Sequence, residues 1–460
     1  MADSAPRLVE QVMATITRRI AARDLSPGAK LPSIRQLAES QGVSKSTVVE
    51  AYDRLAGEGT IQARPGSGFY VTGRPAPFAL AEVGRQVDRA IDPLWIMRQA
   101  LEGAGDHRPG CGWLPESWLP VDSIRKALRL AARGAGDSLV DYGTPLGFLP
   151  LRQQLERRLG ERGIGTSATQ ILLTDSGSQA IDLVCRFLLA PGDTVLIDDP
   201  CYFNFLAVLQ AHRVTAIGVP QTRDGPDLAV LGAKAAAHRP KLYLTNASLQ
   251  NPTGASLTHA HAYRLLKLAE AHDFLIVEDD IFGDFVGDGV ARLAALDGLD
   301  RVLYLGSYSK TLSASVRCGY IAARPDWIEG LTDLKLATSF GNADLSARLV
   351  HQLLIDGSYR RHVEAMKTRL AAARSETARR LKAIGIKPWV EPQGGMFLWA
   401  ELPDGLDSAD LSRRLLKQDI VLAPGNVFSI SQTAGRFLRF NAAQSASPRL
   451  FEALAQAMNS

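Results

Sequence analysis

Apolar residues recur every four positions at the start of the chain: Leu8, Val12, Ile16 and Ile20 would line one face of a helix that should stop near Leu25-Ser26-Pro27-Gly28. Ser33 is then placed to cap a second helix, with Pro32 just outside and Gln36 able to reach back as a capping box. Gly42 ends that helix. Ser44 caps a third, on which Val48, Tyr52 and Leu55 face inward while Lys45, Ser46 and Thr47 project from the first turn. The stretch GTIQARPGSGFYVT reads as two short strands joined at Pro65-Gly66-Ser67-Gly68, with Arg64 beside the tip.

Two short helices meeting at a tight glycine turn, followed by a hairpin, form the pattern of a winged helix-turn-helix. Such units set the first residues of the second helix against base edges, and helix N-termini and glycine-rich turns offer N–H groups to phosphates. Lys45, Ser46, Thr47, Arg35, Arg64 and Gly66 suit those tasks, although each alone also reads as a good cap or a solvated charge. The segment LSPGAKLPSIRQLAESQGVSKSTVVEAYDRLAGEGTIQARPGSGFYV, residues 25–71, closely resembles the GntR family of bacterial regulators. The resemblance implies a double-stranded DNA operator as partner.

The periodicity lapses in TGRPAPFALAEVGRQ, which looks like a linker. The expected organisation is a DNA-binding domain over 1–72, a linker over 73–91 and a second domain over 92–460. In that second part the apolar runs QILLT, DTVLID, KLYLT, FLIVED, RVLYLGS and CGYIAA alternate with helical patterns. The expected fold class is α/β, with a mostly parallel central sheet covered by helices.

Candidate chemistry stands at the ends of these runs, where open α/β sheets place ligands. After QILLT, Gly177-Ser178-Gln179 opens a helix and can present N–H groups to a phosphate. Lys310 follows Ser307 beyond another run, with Arg317 seven residues later. That lysine could form an imine with a carbonyl cofactor, while Ser307 and Arg317 close on the same phosphate. Asn251 and Asp279 put an amide and a carboxylate on the same sheet edge, and a carboxylate beside a ring nitrogen keeps a pyridinium protonated.

These spacings, with DYGTPLGFLPLRQQL, DDPCYFNF, EPQGGMFLW and RFLRFNAA, resemble fold-type I aminotransferases across residues 92–460. The resemblance implies pyridoxal 5'-phosphate as cofactor, held by Lys310 through an imine. It implies Asp279 at the pyridine nitrogen, Asn251 at the phenolic oxygen and Tyr202 stacked on the ring. Gly177, Ser178, Gln179, Ser307 and Arg317 would grip the phosphate, joined by Tyr142 from the other subunit of a homodimer. Arg439 would receive the carboxylate of an amino compound, for which its planar fork is shaped. A GntR-type head on an aminotransferase-like body is the signature of the MocR subgroup, so the chain resembles a regulator that senses a small amino compound. One departure is visible: Phe282 stands three residues after Asp279, where many aminotransferases carry a tyrosine. A working aminotransferase with a DNA-binding head is the alternative, and a binding module independent of DNA a remote third.

Size and composition set the outer bounds. A chain of 460 residues favours at least two folding units, and 46% hydrophobic with 22% charged residues is ordinary for a globular protein. A net charge of +4 is too slight to argue for a polyanion partner by itself. Cys111, Cys185, Cys201 and Cys318 lack the spacing of a metal site or a disulfide framework and read as buried thiols. No apolar run approaches the roughly 18 residues of a membrane span, and the first residues, with Asp3, Arg7 and Glu10, lack a signal-like segment. The expected location is the cytoplasm, with no membrane partner.

Overall fold

The computed structural model describes residues 8–21, 25, 28–64, 66–72, 108–133, 142–287, 289–341 and 344–459. The chain divides into two compact units, residues 1–86 and 87–460. The linker expected over 73–91 and the start expected at 92 lie outside the described residues.

In the first unit, three helices and a hairpin share one small core. Helix α1 (Leu8–Ala21) buries Val12 and Ile16, whereas Leu8 is 56% exposed. Leu8 therefore does not belong to the buried face its spacing suggested. It is the first residue of the helix, a turn ahead of the nearest buried position. Helix α2 (Ile34–Gln41) opens on Ser33, whose hydroxyl accepts from the Gln36 N–H while the Gln36 side chain accepts from the Ser33 N–H. Gly42 closes it at φ +65, a left-handed conformation that costs glycine nothing. Helix α3 (Lys45–Gly57) is capped by Ser44 and buries Val48, Tyr52 and Leu55 completely. The Tyr52 hydroxyl, buried with its ring, donates to the Pro32 carbonyl at 2.7 Å and so ties α3 to the entry of α2. Strands β1 (Ile61–Arg64) and β2 (Gly68–Val71) pair antiparallel, Arg64 opposite Gly68, and Lys30 bridges to Tyr70 on the far side of β2.

The second unit is built on an eight-stranded sheet. Its strands are β3 (Ile171–Thr174), β4 (Thr194–Asp199), β5 (Thr215–Thr222), β6 (Gly225–Pro226), β7 (Leu242–Thr245), β8 (Leu275–Asp279), β9 (Val302–Ser307) and β10 (Gly319–Ala322). Their order is β3-β10-β9-β8-β7-β4-β5-β6. The run β9-β8-β7-β4-β5 is parallel, and β10 lies antiparallel between β9 and β3. All six apolar runs singled out above are strands, and buried apolar clusters flank the sheet. A smaller antiparallel sheet follows, made of β11 (Lys387–Pro388), β12 (Phe397–Glu401), β13 (Ala423–Pro424) and β14 (Phe437–Asn441), in the order β11-β12-β14-β13. All four cysteines are buried and unpaired. Among the described residues, no helix is long and apolar enough to cross a membrane.

Candidate functional site

The parallel strands end at one edge of the sheet, and a cavity of about 200 Å³ opens there. β8 delivers Asp279 to it. Successive side chains of a strand point to opposite faces, so Glu278 and Asp280 go elsewhere. Glu278 accepts from the Leu293 and Ala294 N–H groups at 2.9 Å each, capping a short helix, and Asp280 is held by Arg292 at 3.0 Å and the Tyr304 hydroxyl at 2.6 Å. The Asp279 carboxylate accepts from the Ile281 N–H at 3.1 Å, and the Asn246 amide beside it also favours its charged form. Burial pushes its pKa up to about 6.

Lys310 follows β9 and lines the cavity, where its ammonium donates to the Gly112 carbonyl at 2.7 Å. Enclosure first, and then the neighbouring Arg439 charge, push it down to about 8. Arg439 comes from β14 and is 3% exposed. It donates through Nη1 to Asn251 Oδ1 at 2.8 Å and through Nη2 to the Gly110 carbonyl at 2.6 Å, while its Nε has no partner. Phe397 and Phe428 pack against it, their ring centroids 4.3 and 4.7 Å from the guanidinium carbon. Desolvation lowers its pKa to about 10. Among the described residues, none of Asp279, Lys310 and Arg439 forms an ion pair. Three poorly compensated charges thus surround one cavity, and burying charge without a counter-charge is costly.

At another part of the wall the helix Gly177–Leu188 begins. Its cap, Ser176, takes the Gln179 N–H at 3.1 Å, which leaves the first two N–H groups, those of Gly177 and Ser178, without an intrahelical acceptor at the cavity. Arg317 also lines it, at φ +49, a left-handed conformation that costs a non-glycine residue roughly 1 kcal/mol and concentrates at functional sites. Tyr202 and Asn251 complete the expected residues at the wall.

Three expected residues do not line the cavity. The Gln179 side chain turns back to accept from the Asp175 N–H at 2.6 Å. Ser307 donates toward Ser309 at 3.1 Å and the Cys318 carbonyl at 3.3 Å, anchoring the loop that carries Lys310 and Arg317. Tyr142 is 79% exposed beside Phe340. Phe282 and Ile281 both reach the cavity and neither carries a hydroxyl; the phenol there is that of Tyr202, which burial pushes up to about 12.

Sequence reading missed the segment Gly110-Cys111-Gly112-Trp113, which supplies the acceptors for Lys310 and Arg439. Its signal was slight, since it lies nearly 200 positions before Lys310 and more than 300 before Arg439. Asn246 was missed as well: it lines the cavity and donates to the Asp279 carbonyl at 2.9 Å.

In the first unit, α3 presents Lys45, Ser46 and Thr47 at its exposed start. The Ser46 and Thr47 hydroxyls each lie 2.7 Å from the Ser44 hydroxyl, so cap and candidate base-reading groups are one network. Arg35 pairs with Glu39 at 3.0 Å, the Arg64 guanidinium lies 4.3 Å from the Tyr70 ring centroid, and Gly66 takes φ +73 at the hairpin tip.

A helix-turn-helix with a wing, carried on an aminotransferase-type body, is the class this architecture defines. Residues 114–457 match the family described as aminotransferase class I and II, and residues 8–71 match the bacterial regulatory proteins of the gntR family. The chain belongs to the aminotransferase class I and II family and carries a gntR-type head, a combination consistent with the MocR subgroup. It is 28% identical to the HTH-type transcriptional regulator YdcR of Escherichia coli over 94% of both chains. Its body is 29% identical to aromatic-amino-acid aminotransferase 1 of Thermococcus litoralis, over 71% of this chain and 81% of that one. Among solved structures, the α-aminoadipate aminotransferase LysN of Thermus thermophilus, complexed with N-(5'-phosphopyridoxyl)-L-leucine, superposes with a TM-score of 0.73 at 26% identity, over 79% of this chain and 94% of that one.

Proposed function

We propose that this protein is a pyridoxal-phosphate-dependent transcriptional regulator that binds DNA through its head and senses a small amino compound through its body. The observation that carries the reading is the set of three unpaired charges, Asp279, Lys310 and Arg439, around one cavity of a chain that also bears a DNA-reading head. The cavity suits the cofactor group by group. Asp279 would face the ring nitrogen, and a positive charge there would hold the carboxylate ionised. Asn251 spends its carbonyl on Arg439 and so keeps its amide donor for the phenolic oxygen. The open N–H groups of Gly177 and Ser178, with Arg317, would hold the phosphate, Gln179 and Ser307 supporting them from behind. Tyr202 would cover the ring, and Tyr142 would reach the phosphate of a second copy in a homodimer.

Pyridoxal phosphate, when bound, offers an aldehyde carbon with which primary amines condense. Lys310 is prepared for that role because its depressed pKa leaves more of it as the free amine. Arg439 would take the carboxylate of the sensed compound. At the head, Lys45, Ser46 and Thr47 would meet base edges while Arg35, Arg64 and Gly66 meet the backbone of a paired site. Coupling between the two requires the compound to prefer one DNA-binding state of the protein over the other.

Borohydride reduction of the cofactor-loaded protein followed by peptide mapping should label Lys310. A label elsewhere, or none, sinks the cofactor reading. Footprinting beside its own gene, with and without amino compounds, should show a site lost when residues 1–72 are removed. An active aminotransferase is the second reading, favoured by the presence of Lys310, Asp279 and Arg439 together. Turnover of amino donors with 2-oxo acids, without any effect on DNA binding, would establish it in place of the first.

A further inference from the structure

We infer that the compound sensed in this cavity is an α-amino acid with an uncharged, apolar or aromatic side chain. The inference rests on the sensing reading above and narrows it to a chemical class. Two features of the cavity carry it: the closeness of its two ligand-facing cations, and the composition of the remaining wall.

Lys310 and Arg439 converge on one short segment, the first donating to the Gly112 carbonyl and the second to that of Gly110. A Cβ placed on Gly112 would sit 3.7 Å from Lys310 Nζ and 3.9 Å from Arg439 Nη2. A single carbon at that point would therefore touch both cations. A ligand whose amine lies by Lys310 and whose carboxylate lies by Arg439 has little room between the two groups. One intervening carbon fits; the three of a γ-amino acid would have to fold back on themselves. A side chain at position 112 would start in ordinary van der Waals contact with both cations.

Among the described residues, the rest of the wall offers a second ligand charge no partner. Trp113, Phe203, Phe282, Phe397, Val427 and Phe428 line the cavity. Among the described residues, Asp279 is the one carboxylate that lines it. An acidic side chain would need a further cation, and Arg317 stands with the helix N-terminus that suits a phosphate. A basic side chain would need a further anion, and Asp279 is committed to the ring nitrogen. A charge left in apolar surroundings without a partner costs several kcal/mol, whereas an aliphatic or aromatic side chain gains from the same surface. Phe397 and Phe428 additionally cover Arg439, so a carboxylate bound there is shielded from water and its pairing strengthened.

The test is a titration of the cofactor-loaded full-length protein, followed by the cofactor's absorbance and by calorimetry, with leucine, methionine, phenylalanine, aspartate, glutamate, lysine and γ-aminobutyrate. Leucine, methionine or phenylalanine should bind at least about 100-fold more tightly than aspartate, glutamate or lysine, and at least about tenfold more tightly than γ-aminobutyrate. Aspartate, glutamate, lysine or γ-aminobutyrate binding as tightly as the apolar α-amino acids overturns the inference while leaving amino-compound sensing intact. No binding of any amino compound to unreduced, cofactor-loaded protein, in a preparation whose reduced sample maps to Lys310, overturns both.

Discussion

Arg35 and Arg439 are the same side chain in opposite settings. Arg35 stands on the head with 77% of its side chain in water, paired across one helical turn with Glu39, itself 66% exposed. Such a pair is worth about 0.3–0.5 kcal/mol and is readily exchanged for a phosphate. Arg439 is buried under two phenyl rings and holds only neutral acceptors. On the proposed reading the head would recognise DNA with charges kept wet, each adding a small and salt-dependent increment. The body keeps its charges dry, so on the proposed reading recognition there would depend on individual groups, and a ligand would relieve a cost the free protein bears.

The sharpest way to break this contrast is Arg439→Met. Removing a buried charge that has no counter-charge relieves a desolvation cost, offset by the loss of the donor to Asn251 Oδ1 and the Gly110 carbonyl. The melting temperature of the cofactor-free protein should therefore change little, while affinity for amino acids falls by at least about 100-fold. The same change at Arg35 should alter neither quantity. A marked fall in the melting temperature of the Arg439→Met protein would show that Arg439 is a structural group and not a receptor.

Next in size is the pH response of Lys310, which falls from an ordinary 10.5 to about 8 through enclosure and the Arg439 charge. The free amine is the reactive form, and roughly one lysine in ten carries it at pH 7, against about one in 3,000 at the ordinary value. The rate at which cofactor-free protein takes up pyridoxal phosphate, read by absorbance, should rise about tenfold per pH unit and level off near pH 8. Arg439→Met removes the second cause, so the break should move to higher pH. Stability follows with a definite sign. The folded pKa is below the unfolded one, so folding disfavours the protonated form; the penalty is complete below about pH 8 and vanishes above about pH 10.5. Lys310→Met should accordingly raise the melting temperature at neutral pH and leave it unchanged at pH 11.

Much of this was legible in the sequence because local rules carry it. Ser33, Gln36, Gly42 and Ser44 act at fixed offsets along the chain, and the structure places each cap where those offsets put it. The parallel strands announce themselves as short apolar runs because both faces of the sheet are covered. β5 escaped notice since TAIGVPQT mixes polar residues and a proline into a strand buried only in part. The antiparallel placement of β10 was equally hidden, because CGYIAA reads alike in either direction of pairing. In the cavity, Lys310 and Asp279 were singled out by their places after apolar runs and Arg439 by the family resemblance, but the acceptors of Gly110 and Gly112 were not. Backbone carbonyls have no residue type, and only the fold brings that segment to the sheet edge.

The smallest expected effect separates two kinds of contact within the head. Arg64 lies over Tyr70 at the edge of the wing and, if it meets a phosphate, contributes one released counterion. Arg64→Ala should then lower the slope of log affinity against log salt by about 0.9, roughly a 3.5-fold effect between 50 and 200 mM, for operator and unrelated DNA alike. Thr47 is a different case, because its hydroxyl is already 2.7 Å from that of Ser44 and would have to share the cap to reach a base. Thr47→Val keeps the methyl group and removes the hydroxyl. If the hydroxyl reads a base, this change should narrow the preference for operator over unrelated DNA and leave the salt slope untouched. If the methyl group makes the contact, Thr47→Val should bind normally while Thr47→Ala loses the preference. Filter binding across a salt series with both duplexes decides the matter: a change of salt slope in either Thr47 variant would mean that the helix start meets the backbone, not the bases.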